Sequence, residues 1–279
     1  MISNIKDYTC SRDGINYPKL EKPLINLYIQ TTPKCNAKCY FCNTRCKSTS
    51  FSLDKLKEVI DFMRSKVLIG KVAISGGEPL LEVDRIKGIV SVCDREYITL
   101  NTNAYSLEKL SEVYSLVKEV HISKHHYDNA INDEIMKIKT PTMKEISEKG
   151  FSDKVKINCV YQKGIMETKT DMVSMMEEMA KYGFSELRNI SLLPLTDAAT
   201  ESYVDLVSLM KDAECFTNDG YLYDKGMCQC FELMYVASNG KLVKSLIRQT
   251  FNDDYSCVKQ LVFDGEHLYD GFKKKNILI

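Results

Sequence analysis

The sequence predicts an α/β fold in which a parallel sheet is built from strands that alternate with crossover helices. Two observations predict it. Six short apolar runs, near residues 25–30, 71–74, 97–100, 119–123, 155–160 and 186–193, alternate with helical runs. Strands separated by helices of this kind pair in parallel. In addition, the residues richest in chemistry directly follow strand ends: the cysteine-rich stretch 31–42, Ser75 to Pro79, Asn101 to Asn103, and the His125-His126 pair. In parallel α/β folds ligands bind at the carboxyl ends of the strands. A chain of 279 residues is long enough for one barrel-like unit of this kind.

Each element has its own signal. The first strand, 25–30 (INLYIQ), alternates apolar and polar residues. Ser52 can cap a helix over 53–66, whose Leu56, Val59, Ile60 and Met63 share one face. The second strand, 71–74, runs into the glycine pair Gly76-Gly77, and a helix over 83–92 follows. The third strand ends at Asn101, and a helix over 107–117 leads to the fourth strand, 119–123. A short helix near 129–137 and a linker with Pro141 precede the fifth strand, where Val155, Ile157 and Cys159 alternate with polar residues. A helix over 170–182 carries Met172, Met175, Met176 and Met179 on one face, a pattern that fills cores. Beyond the sixth strand come a helix near 201–211 and two strand-like runs, 233–237 and 241–246, joined by Ser238-Asn239-Gly240, a hairpin signal. The chain therefore divides into an N-terminal extension (1–23), a barrel (24–195) and a C-terminal cap (196–279).

Cys35, Cys39 and Cys42 stand in the spacing C-x3-C-x2-C, with the aromatic Phe41 before the last cysteine. One loop at this spacing can present three thiolates to a cubane iron–sulfur cluster, which normally takes four. Three leave one iron open, as an open coordination position distinguishes catalytic from structural metal sites. A zinc knuckle or scattered buried thiols is the competing reading of the cysteines alone.

The two motifs together, C-x3-C-x-aromatic-C after the first strand and Gly76-Gly77-Glu78-Pro79 after the second, resemble the radical S-adenosylmethionine (radical SAM) superfamily. The resemblance covers residues 24–194 and thins beyond them. It implies a partial (β/α)6 barrel, a 4Fe–4S cluster on Cys35, Cys39 and Cys42, and S-adenosylmethionine chelating the open iron. The implied reaction is reductive cleavage to a 5′-deoxyadenosyl radical that abstracts hydrogen from an unactivated carbon. It implies that Ser75, Gly76 and Gly77 meet the methionine amino group with support from Glu78, and that Phe41 lies beside the adenine. Asn101, Asn103 and Ser123 are placed where ribose and carboxylate contacts occur in relatives. Glycine there admits a close backbone approach.

Three further readings come from the residues themselves. Asn158 is out of phase with its apolar neighbours on the fifth strand and so faces the interior, where a buried amide needs a partner such as S-adenosylmethionine. Arg188 on the sixth strand is a candidate for binding a carboxylate or phosphate through its fork, or else a solvated arginine. His125 and His126, two of four histidines, are candidates for substrate contact or proton transfer; a polar loop is the plainer alternative. Cys46, four residues beyond Cys42, is a spare thiol or a fourth ligand that would close the cluster.

The segment from Cys230 through Gly240 resembles the start of the auxiliary-cluster extension of many superfamily members, with Ser245 where they carry cysteine. Cys215, Cys228, Cys230 and Cys257 are candidates for a second iron–sulfur site, or buried thiols in a cap. The barrel resembles that of the GTP cyclase group of molybdenum-cofactor synthesis and, more loosely, the viperin group. A small metabolite, nucleotide or nucleoside is therefore the expected substrate, ahead of a peptide or a glycyl-radical enzyme. A non-catalytic iron–sulfur electron-transfer or sensor protein is the reading from another class. An electron donor such as flavodoxin or ferredoxin is an expected partner.

Composition agrees. Hydrophobic residues at 44% and charged residues at 27%, with net charge zero, fit a globular chain without a long nucleic-acid groove or a membrane surface. The start, Met1-Ile2-Ser3, does not read as a signal peptide, and no apolar run is long enough to span a membrane. A cytoplasmic location is expected, and in a reducing compartment the eleven cysteines are ligands or free thiols rather than disulfides.

Overall fold

The computed structural model describes residues 22–42, 50–192, 197–210, 223–224, 228–250, 260–272 and 276–279. The first six strands are β1 (Leu24–Gln30), β2 (Leu68–Ser75), β3 (Ile98–Thr102), β4 (Glu119–Ser123), β5 (Val155–Tyr161) and β6 (Glu186–Ser191). Between them run α1 (Leu53–Lys66), α2 (Val83–Val92), α3 (Leu107–Tyr114), α4 (Asn129–Met136), α5 (Met143–Glu148) and α6 (Lys169–Lys181). After β6 come α7 (Asp197–Glu201), α8 (Leu206–Met210), β7 (Tyr223–Asp224), β8 (Cys228–Val236), β9 (Leu242–Thr250), β10 (Gln260–Phe263) and β11 (Leu268–Tyr269).

The strands form one sheet in the order β11-β10-β1-β2-β3-β4-β5-β6-β9-β8-β7. Eight consecutive strands, from β10 through β1–β6 to β9, pair in parallel. The expected parallel sheet with crossover helices is therefore present. The C-terminal residues extend it at both edges: β9 pairs with β6, and β10 pairs with β1. The β8–β9 hairpin forms as its Asn-Gly turn directs, with Val236 opposite Leu242.

Two helices escaped the sequence reading, α5 and α7, and the helix expected over 201–211 is the shorter α8. Thr142 and Glu145 form a capping box that starts α5 just after Pro141. Its T-x-x-E spacing was a readable start signal.

Burial follows the period of two. Ile25, Leu27, Ile29, Val72, Ile74, Ile98, Leu100, Val120, Ile122, Val155 and Ile157 point outward into a core shared with the helices. That core takes the whole predicted α1 face, Leu56, Val59, Ile60 and Met63, and all four methionines of α6. A Leu56→Ala cavity there costs about 2–5 kcal/mol. The alternate residues of each strand, among them Tyr28, Gln30, Lys71, Asn101, Glu119, His121, Lys156, Asn158 and Arg188, face the other side.

The sheet curls so that this second face becomes an interior. Strands lie about 4.8 Å apart, so a flat sheet would hold β2 and β9 about 24 Å apart. Yet Lys71 on β2 is within electrostatic reach of both Arg248 on β9 and Arg188 on β6.

Candidate active site

The cysteine loop leaves the carboxyl end of β1 and is fastened to its neighbours by backbone hydrogen bonds. Thr31 N donates to Ser75 O (2.8 Å), Gly77 N to Thr32 O (2.7 Å), Glu78 N to Lys34 O (2.8 Å) and Lys38 N to Met136 O (3.0 Å). The Asn103 amide adds a side-chain tie to Asn36 Oδ1 (2.9 Å). The glycine motif thus extends the β1–β2 pairing into the cysteine loop. Gly76 has φ of +127°, and a Cβ on Gly77 would lie 2.0 Å from Lys34 O. Here the missing side chains serve the approach of two protein backbones.

Glu78 is buried, and its carboxylate is fully engaged by the chain. Oε1 accepts from Leu80 N (2.9 Å) and from the Thr102 hydroxyl (2.5 Å), and Oε2 accepts from Asn103 N (2.8 Å). Burial raises its pKa, against those three donors. Asn103 donates its NH2 to Asn36 Oδ1, and its own Oδ1 accepts from Tyr105 N. Glu78, expected to support the glycine segment, ties that segment to the end of β3, and Asn103, expected near ribose or carboxylate, ties the end of β3 to Asn36 of the cysteine loop.

Cys35 and Cys42 are exposed and Cys39 is partly buried, the three lying within electrostatic reach of one another. Burial pushes the Cys39 thiol up to about 12, and repulsion from Cys42 and Cys35 adds to the shift. Burial likewise raises Cys35. Cys93 and Cys159 are buried thiols away from this loop. Cys46, Cys215 and Cys257 lie outside the described residues. Cys228 and Cys230 are described by backbone alone, opposite Thr250 and Arg248 in the β8–β9 register.

The histidine pair splits. His125 is buried, its imidazole 5.0 Å from the Phe41 ring and nearly perpendicular to it. Its Nδ1 accepts from Val160 N (3.2 Å), so the ring is neutral with its proton on Nε2. Burial, then the Lys124 charge, pushes its pKa down to about 4. His126 points elsewhere: Nδ1 accepts from Asp128 N (2.9 Å) and the ring stacks on Tyr127.

Ser123, Asn158 and Arg188 share one row of the register across β4, β5 and β6. Asn158 Oδ1 is buried without a partner. Arg188 is not solvated: it donates to Glu186 Oε1 (2.9 Å) and lies against the His121 ring, Nη1 being 3.2 and 3.1 Å from its two nitrogens. Asn101 Oδ1 stands 2.9 Å from His121 Nδ1, and His121 Nε2 stands 3.0 Å from Glu119 Oε2. Burial drives His121 down to about 4, with Arg188 and Lys71 opposing its charge and Glu119 favouring it. Burial alone would raise Glu119, but donors on His121, Lys156 and Tyr97 hold it well below the usual carboxylate range.

This network was missed from sequence, although strand 119–123 alternates Val120 and Ile122 with Glu119, His121 and Ser123. The interior brings five cations, Lys71, Lys156, Arg188, Lys244 and Arg248, to three carboxylates. Lys156 bridges Glu119 and Glu186, Arg188 pairs with Glu186, and Lys244 reaches Glu186 and Glu232. Lys71 and Arg248 form no close ion pair among the described residues, although Glu119 lies within electrostatic reach of Lys71. Burial, then repulsion from Arg248 and Arg188, lowers Lys71 to about 8.

Fold and cysteine loop define a radical SAM barrel, and comparison with known proteins agrees. The sequence profile of the radical SAM superfamily matches residues 29–207, and the chain belongs to that superfamily. It is 24% identical to a probable GTP 3′,8-cyclase of Archaeoglobus fulgidus, over 87% of this chain and 89% of that one. It is 25% identical to the probable GTP 3′,8-cyclase of Methanococcus maripaludis, covering 66% of this chain and 64% of the relative. With the GTP 3′,8-cyclase of Aquifex aeolicus it shares 30% identity over 52% of this chain and 50% of the relative. In fold it is similar to Streptococcus suis SuiB bound to S-adenosylmethionine (TM-score 0.52, 18% identity, 64% of this chain and 43% of that one). It is also similar to the methylornithine synthase PylB (TM-score 0.50, 14% identity, 67% and 59%). These likenesses establish the fold.

The chain is thus an enzyme of a superfamily whose cofactors are a 4Fe–4S cluster and S-adenosylmethionine, which sets aside the non-catalytic reading. Its residues fit both. Three cysteines at this spacing on one pinned loop are a ligand set for iron, whose positive charge would offset the burial and mutual repulsion that oppose their thiolates. Among the described residues no three His, Cys, Asp or Glu side chains converge on a single ion. A cubane attaches each thiolate to a different iron, so such convergence is not required of it. The orphaned Asn158 oxygen lies on the inner face of β5, level with Ser123, where a donor on a bound molecule would satisfy it.

Proposed function

We propose that this enzyme removes a hydrogen atom from an anionic nucleotide or nucleoside phosphate held in the barrel interior. The single observation that carries the reading is the pair Lys71 and Arg248: two cations on the inner face of the sheet, Arg248 exposed, that repel each other and form no ion pair among the described residues. An anion between them would relieve that repulsion, and Arg is suited to phosphate through its fork. The names of the cyclase relatives support a nucleotide.

In this reading the cluster and S-adenosylmethionine supply the 5′-deoxyadenosyl radical. Cys35, Cys39 and Cys42 ligate iron, and the backbone of Ser75, Gly76 and Gly77 lies beside the methionine. Phe41 and the Nε2–H of His125 border the nucleoside, and Ser123 and Asn158 accept its donors. Glu119, His121, Lys156, Glu186 and Arg188 form a rigid wall that keeps water from the radical. Flavodoxin or ferredoxin delivers the electron, in the cytoplasm. No helix among the described residues is long and apolar enough to cross a membrane.

The test is formation of 5′-deoxyadenosine by anaerobically reconstituted, reduced protein with GTP, ATP or guanosine. A nucleotide should stimulate it, and Lys71→Gln should raise KM for that nucleotide about tenfold while leaving kcat largely intact. The reading fails if no nucleotide binds or stimulates.

A further inference from the structure

We propose that Tyr28 and Phe272, with Gln30 and Thr99 beside them, form a subsite for a planar heterocyclic ring, the base of a nucleotide. This rests on the reading that the interior takes an anionic nucleotide, and it names the part of the wall that recognises the other end of that molecule.

Tyr28 faces inward from β1, its hydroxyl donating to Ser75 Oγ (2.5 Å). Its ring meets Phe272 at 4.8 Å between centroids, at 70°. Phe272 comes from the segment just past β11 and takes no part in the apolar core. It stays 37% exposed, so ring surface is left for another planar group to cover, and aromatic faces stack on any base.

Two polar atoms nearby want partners. Gln30, the next inward residue on β1, is 3% exposed, yet its Oε1 has no hydrogen bond. Thr99 is level with Tyr28 in the register across Ala73, fully buried, and its Oγ1 is equally without a partner. Ala73 between them contributes only a methyl, so the wall is recessed there. Buried acceptors without donors are rare in folded proteins and mark places where a ligand supplies the donor. A primary amide matches the amide edge of a base, offering an acceptor beside a donor. Lys71 lies one inward position below Ala73 on β2, so a molecule anchored there by its anion can lay its ring against this wall.

The test is equilibrium binding to full-length reconstituted protein of three probes: GTP, guanosine and inorganic tripolyphosphate. Phe272→Ala should weaken GTP and guanosine about tenfold and leave tripolyphosphate unchanged. Phe272→Tyr should restore binding; Phe272→Leu, which keeps apolar bulk without a ring, should not. The subsite is overturned if Phe272→Ala binds guanosine like wild type, or if it weakens tripolyphosphate as much as GTP. Wild type that binds tripolyphosphate but neither GTP more tightly nor guanosine at all would overturn the ring subsite while sparing the anion reading. Nucleotide binding that depends on Phe272 but not on Lys71 would do the reverse.

Discussion

The imidazole of His125 stands edge-on to the ring of Phe41, 5.0 Å between centroids, while its Nδ1 accepts from the backbone N–H of Val160. A residue from the end of β4 thereby touches the aromatic residue of the cysteine motif. In the proposed function the neutral ring serves through a hydrogen bond from Nε2–H. His125→Ala should lower 5′-deoxyadenosine formation about tenfold, the worth of one such bond. His126→Ala should change it less than about twofold, since His126 faces Asp128 and Tyr127. Steady-state rates of the two variants check this.

Stability should fall on mild acidification. His121 and His125 have folded pKa values near 4, burial being the main cause for both. An unfolded histidine titrates near 6.5. Between those values the unfolded chain binds protons that the folded chain refuses. The contribution is therefore intact above about pH 6.5 and is lost as pH falls toward 4, by up to about 1.4 kcal/mol per pH unit for each ring. Urea unfolding of the apo chain at pH 7.5, 6 and 5 measures the slope. His121→Asn with His125→Asn should flatten it, and an unchanged slope would assign the acid loss to other groups.

Gly77→Ala should cost the cluster before it costs the fold. Its Cβ would meet Lys34 O at 2.0 Å, a distance no rotamer relieves, so the cysteine loop must move off β2. Reconstituted variant should hold less than about one iron per chain where a cubane needs four. Far-ultraviolet circular dichroism should be near wild type, because the core packs below this loop.

Glu78→Gln places an NH2 among three donors, Leu80 N, Asn103 N and the Thr102 hydroxyl. One of them loses its acceptor, at about 1–3 kcal/mol. A urea midpoint shift of that size is expected, together with weaker iron retention, since Asn103 also ties down Asn36.

The sequence yielded what is local. Cys35, Cys39, Cys42 and Gly76-Gly77 lie in short runs whose spacing carries their chemistry, and the period of each strand and helix is written in its own residues. Ser52, predicted as a cap, accepts from Lys55 N. What stayed hidden is non-local. Lys71, Glu119, His121, Lys156, Glu186 and Arg248 are six residues scattered over five strands, and only register and curl bring them to one side. The supporting place of Glu78 and the ligand-side place of Asn103 came from resemblance, whereas their partners, Thr102 and Asn36, depend on how the loop docks on β3. β10 was invisible because four residues, Gln260–Phe263, carry little period, and pairing with β1 across the whole chain supplies the rest.

The most direct measurement is iron content and 5′-deoxyadenosine formation in anaerobically reconstituted wild type and in the variant with Cys35, Cys39 and Cys42 all changed to Ala. Wild type should bind about four irons in a cubane and cleave S-adenosylmethionine on reduction, and the variant should lose both. Four further irons surviving in the variant would reveal a second cluster, with Cys215, Cys228, Cys230 and Cys257 as its candidate ligands. A triple variant that still forms 5′-deoxyadenosine would contradict the assignment of the site to this loop.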